Sequence, residues 1–199
     1  MANILTTKEE VKKYLEDTAG TNSFDALLDA IILGVSQKFE LAANRPLFTG
    51  TRTELHNGGC SRIYVNAPPI TSITSITYAV DYNFAAGEVL AASEYVIDPS
   101  DKKNAVYSTF GSFPGGAECI KLVYVGGYVP ADSVSPVSNI PESVKQAATL
   151  QTVYLFKNRK TIGFDNTNIG DGVLTKVTNR WFLPDVLDVI RAIRVNNIY

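Results

Sequence analysis

The chain has 199 residues, enough for one domain or one domain carrying an insertion. With 45% hydrophobic and 19% charged residues it can bury a core and does not read as a disordered chain. No apolar run approaches the length needed to cross a bilayer, the start MANILTTKEE lacks a signal peptide's apolar region, and the formal net charge of −2 argues against binding nucleic acid by neutralising phosphates. These features predict a soluble protein made in the cytoplasm. Its two cysteines, Cys60 and Cys119, fit neither a disulfide framework nor a metal spacing, and both fall in or beside predicted strands as buried or half-buried thiols.

Thr7 and Glu10 have capping-box spacing and open a first helix, with Val11, Tyr14 and Leu15 on one face. A turn-rich stretch, Asp17-Thr18-Ala19-Gly20, follows. The second helix starts after Asn22-Ser23, either of which can cap it. Phe24, Leu27, Leu28, Ile31, Val35, Phe39 and Ala42 follow three-and-four spacing, and Ile32 and Leu33 widen the apolar face. It stops at Asn44-Arg45-Pro46, because proline disfavours helical geometry at the residue before it.

From 51 to 128 the chain turns to strand-and-turn composition, rich in Thr, Val, Ile and Tyr and broken by Gly, Pro and Asn. Strands are predicted over 52–56, 62–65, 73–80, 88–97, 105–109 and 118–125. Asn57-Gly58-Gly59 is expected to join the first two as a hairpin, and Pro68-Pro69 marks a corner. The last of these strands is apolar on both faces and is expected to be central.

Gly126-Gly127 ends the strands, and a loop rich in Ser, Pro and Val leads to a helix over 140–158. That helix is apolar nearly all round, with a narrow polar stripe through Lys145, Gln146, Thr149 and Gln151, so it belongs inside the protein. Pro141 suits its first turn, Asn139 its cap, and Lys157, Arg159 and Lys160 its C-terminal end. Residues 161–172 are polar with three glycines and read as a flexible arm that orders on a partner. A further strand over 173–178 and a short last helix, with Val186, Leu187, Ile190 and Ile193 on one face, complete the chain. The fold class expected is α+β: a small helical bundle with an inserted antiparallel β-rich module (51–128) and a C-terminal helix.

No constellation of catalytic residues stands out. The one histidine, His56, has Glu54 as its only acid nearby in sequence and reads as a surface or hairpin residue. The glycines fit no phosphate-binding fingerprint. Asp165–Asp171 fails as a calcium loop, with Ile169 at a ligand position and Lys176 where the closing glutamate belongs. Neither a metal nor a cofactor is expected. Trp181, Phe182 and Tyr199 are either core or a docking surface.

The order of segments resembles the small head-tail connector (adaptor, or head-completion) proteins of tailed bacteriophages. Thr7 to Leu15 is similar to that family's opening helix, and Phe24-Asp25-Ala26-Leu27-Leu28 through Asn44-Arg45-Pro46-Leu47 to its second helix and Arg-Pro stop. Pro68-Pro69-Ile70 through Tyr78 resembles its proline-led strand, and Tyr95-Val96-Ile97-Asp98 and Val123 to Tyr128 its later strands. Ile140 to Arg159 resembles its central helix, with the ending Tyr154-x-x-x-Asn158-Arg159. The pattern departs after Lys160, although Leu183-Pro184-Asp185-Val186-Leu187 is similar to the closing helix.

The resemblance implies a structural virion protein of the neck, not an enzyme. Such subunits form a homo-oligomeric ring, a dodecamer in the family, beneath the portal protein. They extend the channel through which DNA passes without specific binding, and they present a surface to the tail or to a stopper protein. The alternative is a tail-completion or tail-terminator protein that binds the tail tube. On this reading residues 1–160 are the connector core and 161–199 a flexible loop and docking segment. The expected partner-binding residues are Trp181, Phe182, Leu183, Val186, Ile190, Ile193 and Tyr199.

Overall fold

A computed structural model of the chain describes residues 3–15, 24–159, 166–169, 173–176 and 181–194. The predicted turn at 17–20, the caps Asn22 and Ser23, Lys160, most of the 161–172 arm and Tyr199 lie outside the described residues. The described residues form four helices and nine strands, divided between two compact units. One holds residues up to Asn44 and from Pro130 to Arg194; the other spans Arg45–Val129.

The first unit is the helical bundle. Helix α1 (Lys8–Tyr14) begins with the expected capping box: Thr7 Oγ1 accepts from the Glu10 N–H, and the Glu10 carboxylate accepts from the Thr7 N–H. Helix α2 (Asp25–Ala43) ends two residues before Arg45 and is capped by Asn44 in the left-handed conformation (φ 51°). Asparagine tolerates that geometry better than most side chains. Lys8 and Lys12 pair with Asp25 and Asp29 and tie α1 to the start of α2. Helix α3 (Glu142–Lys157) touches α1, α2 and the last helix, α4 (Pro184–Ile193).

One expectation for α3 needs correction: its cap is Pro141, which makes no side-chain capping bond, and not Asn139. The helix lies inside the unit deeply enough that Thr149 and Gln151 of its polar stripe, with Thr152, are buried. Thr149 Oγ1 bonds the Lys145 carbonyl at 2.9 Å and the Thr6 hydroxyl at 2.6 Å. Gln151 spans two backbone groups, donating to the Trp181 carbonyl (3.4 Å) and accepting from the Leu183 N–H (3.0 Å). Polar atoms inside a bundle are tolerated when each finds a partner, and here those partners fix the segments at both ends of the chain. The Asn158-Arg159 ending closes α3: Asn158 Nδ2 donates to the Tyr154 carbonyl and Arg159 to the Phe156 carbonyl, and the Arg159 guanidinium lies over the Phe156 ring.

The second unit is the β module. A four-stranded antiparallel sheet has the order β1 (Gly50–His56), β7 (Ile120–Gly126), β3 (Ile70–Tyr78), β4 (Glu88–Val89). A three-stranded antiparallel sheet has the order β2 (Arg62–Tyr64), β6 (Ala105–Ser108), β5 (Tyr95–Ile97). Both sheets contribute to one core, which includes Ile63, Val106, Ile70, Ile76, Leu122 and Tyr124. β7 is central, with Ile120, Leu122, Tyr124 and Gly126 pointing inward.

The expected hairpin between β1 and β2 does not form, since the two strands belong to different sheets. Instead the N–H of Gly58 bonds the Gly116 carbonyl, and that of Gly59 bonds those of Phe113 and Pro114, so the glycines dock on a distant loop. The strand predicted over 88–97 is two strands, β4 and β5, interrupted by a turn in which Glu94 N–H bonds the Ala91 carbonyl. At the module's closing turn Gly127 has φ +104°, and a Cβ there would lie 2.5 Å from the Phe48 carbonyl oxygen, so a side chain is excluded. Residues 166–169 and 173–176 form a further hairpin, β8 (Asn166–Ile169) with β9 (Val173–Lys176), where only the second strand was expected.

Candidate interaction surfaces

The residues expected to bind a partner near the C-terminus separate into two groups. Phe182, Val186 and Ile190 are buried within the helical unit itself. The Phe182 ring meets Phe39 of α2 edge-on, with centroids 5.5 Å apart. Leu183 and Ile193 are half-buried, and Tyr199 lies outside the described residues. Only Trp181 is substantially open, at 79% exposure. The amphipathic spacing of α4 therefore serves the chain's own core, and the docking expectation narrows to Trp181 and the rims beside it.

One open apolar surface that sequence reasoning missed is the outer face of α2; Val80, Val89 and Phe110 of the β module are also exposed. The buried side of that helix is Leu28, Ile32, Val35, Ser36, Phe39 and Ala43. Leu27, Leu33 and Leu41 fall on the other side and are exposed, Leu41 at 80%. Ala30 is also exposed there, and a Cβ built on Gly34 meets nothing within 4 Å. Lys38 borders this face and reaches over the Trp181 ring, 5.8 Å from its centroid. The signal was legible: α2 carries more apolar residues than one face can bury, and the surplus falls at 27, 33 and 41. A second open site is the loop at 131–139, where Val134 and Val137 are 84% and 77% exposed.

The β module holds a partly buried polar cluster built around Glu54. Glu54 on β1 accepts from the Tyr124 hydroxyl (2.6 Å) and from the Asn66 N–H (3.2 and 3.3 Å), and its Oε2 lies 3.1 Å from His56 Nε2. Tyr124 Oη accepts in turn from the Ala67 N–H at 3.1 Å. Burial works against the Glu54 carboxylate, but the bonds from His56, Tyr124 and Asn66 outweigh it and hold its pKa below the ordinary value. Burial, reinforced by that carboxylate, pushes the Tyr124 phenol far above its usual range. His56 thus pairs with the acid two residues away. Both Glu54 oxygens are engaged with structural donors, so the cluster acts as a clamp between β1, β7 and the segment that follows β2.

Arg45 makes a similar clamp where the chain enters and leaves the module. Its guanidinium is buried, donates to the Pro68 carbonyl and the Tyr128 hydroxyl (3.2 Å each), and stacks on the Tyr128 ring. Among the described residues, no group of three or more His, Cys, Asp or Glu is placed to hold a metal, and no helix is long and apolar enough to cross a membrane.

Comparison with known proteins adds one kind of finding. No family model matches the sequence, and no curated protein sequence matches it. Solved structures do share its fold. The fold occurs in the neck of a phage-like particle. A chain of the "Neck of empty GTA particle computed with C6 symmetry" superposes with a TM-score of 0.56 at 13% identity, covering 96% of this chain and 90% of that one. A chain of the "Neck of native GTA particle computed with C12 symmetry" gives 0.53 at 15% identity, covering 100% and 97%. A chain of the "Virion of native gene transfer agent (GTA) particle" gives 0.53 at 12% identity, covering 88% and 80%.

Proposed function

We propose that this protein is a structural subunit of a head-tail connector ring, seated beneath the portal of a tailed phage or phage-like particle. The observation that carries this reading is the shared fold over almost the full length of both chains with neck components of a gene transfer agent. Those necks were computed with six- and twelve-fold rotational symmetry, the arrangement a ring requires. The order of sequence segments resembling connector proteins supports the same role.

In this role the protein works by shape. Its ring extends the DNA channel and presents a surface to the tail or a stopper protein. A net charge of −2 suits a channel that DNA must traverse, because a dense basic lining would retain it through counterion release. The hydrogen bonds of Arg45 and Glu54 tie together segments of the β module and support a structural role for it.

Purified protein mixed with purified portal tests the reading. Co-migration by size exclusion, with rings on the portal's tail-side face by electron microscopy, is expected. Association with isolated tail tubes and none with portal would favour the tail-completion role instead.

A further inference from the structure

We propose that the outer face of α2, with Trp181, receives the 131–137 loop of a neighbouring copy, setting Asp132 of that copy against Lys38. The inference rests on the ring reading and names the surfaces through which the ring closes.

α2 carries apolar side chains beyond the stripe it buries, and such residues grouped on an open face mark a contact surface. Here one side of α2 is covered by its own chain, while Leu33, Leu41 and Trp181 stay open. The small residues Ala30 and Gly34 let another backbone approach closely between them. The charge at the edge of the face lacks a counterpart: among the described residues Lys38 has the Trp181 ring but no carboxylate.

The loop has the complementary character. Val134 and Val137 project from it, and Asp132 is exposed without a cationic partner among the described residues. The loop is nonetheless shaped: the Ser133 hydroxyl donates to the Pro136 carbonyl at 2.7 Å, and the Ala131 N–H bonds the Ile4 carbonyl. Preformed apolar tips beside an acid are suited to an apolar face beside a lysine.

Placement fits a head-to-tail contact, which needs two different faces on different sides of one subunit. Leu5, next to the residue that anchors the loop, bonds Ser36 Oγ on α2. Lys38 lies two residues further along, roughly 200° around the helix. The loop's anchor and the Lys38–Trp181 edge therefore occupy opposite flanks of α2, so neither surface can satisfy the other within one chain.

The test uses full-length protein, mixed from isotopically labelled and unlabelled preparations and treated with a carbodiimide, which joins a lysine amine directly to a carboxylate. A Lys38–Asp132 cross-linked peptide of mixed isotope content is expected. Lys38→Glu and Asp132→Lys should each weaken multimer formation about tenfold by sedimentation, since like charges then meet at the contact, and the double swap should restore it. Multimers that form normally in both single variants, with cross-links elsewhere, would overturn these surfaces and leave the ring reading standing. When assembled particles are treated in the same way, cross-links from Lys38 only to a portal or tail chain would overturn the choice of a second copy. A protein that stays a single copy both in solution and in assembled particles would overturn the ring and this contact together.

Discussion

Phe182→Ala asks whether the C-terminal segment is core or docking arm. In the structure the Phe182 ring is 6% exposed and packs edge-on against Phe39. Truncating a buried phenylalanine to alanine costs about 3–5 kcal/mol, including about 0.5–1.5 kcal/mol for the lost aromatic pair. For a chain of this size each kcal/mol lowers Tm by about 2–4 °C, so a drop of about 6–20 °C is expected by circular dichroism or calorimetry. Trp181→Ala, one residue away but open to solvent, should change stability by no more than about 0.5 kcal/mol. Deleting everything after Lys160 removes Phe182, Val186 and Ile190 together. At about 1.5–3 kcal/mol each, that loss rivals the whole stability of a typical domain, and the helical unit should unfold. A Phe182→Ala protein that melts within a degree or two of the parent, or a folded truncation, would refute this packing and return the segment to the role of a free docking arm.

Other perturbations probe the clamps. Glu54 has its pKa lowered on folding, so its contribution to stability is present above the unfolded carboxylate pKa and is lost as pH falls through the lower folded value. Acid unfolding of the parent should show this loss, and Glu54→Gln should flatten it while costing about 1.5–3 kcal/mol in urea melts at neutral pH. Arg45→Ala should destabilise the β module by about 2–3 kcal/mol, and Arg45→Lys should not rescue it, because a single ammonium cannot hold the Pro68 carbonyl and the Tyr128 hydroxyl in the fork geometry. Hydrogen exchange at β1 and β7 would report both effects. Gly127→Ala should cost about 1–3 kcal/mol through its positive φ and its close approach to Phe48.

Much of the fold was legible because local chemistry and tertiary structure agree. The Thr7/Glu10 capping box, the stop of α2 before Pro46, the Pro68-Pro69 corner and the central strand β7 each follow from side chains acting on their own backbone or on one sheet. Long-range pairing was not legible. Nothing near Asn57-Gly58-Gly59 signals that β1 will pair with β7, about 70 residues away, and the local hairpin signal was overridden by a better partner. The partners of α3's polar residues were illegible for a related reason: Thr149 and Gln151 are bonded by Thr6, Trp181 and Leu183, which lie far away in sequence. The apolar residues after Trp181 gave the right amphipathic helix, but periodicity does not say whether a face meets its own chain or another.

If the proposed role holds, this chain is one wedge of a closed collar at the portal vertex. A cryo-electron microscopy reconstruction of the neck of intact particles, without imposed symmetry, should then show density for this fold repeated around the channel axis between portal and tail, with α2 at the boundary between adjacent copies. A neck lacking such a ring, or one holding the chain as an isolated copy, would contradict that role.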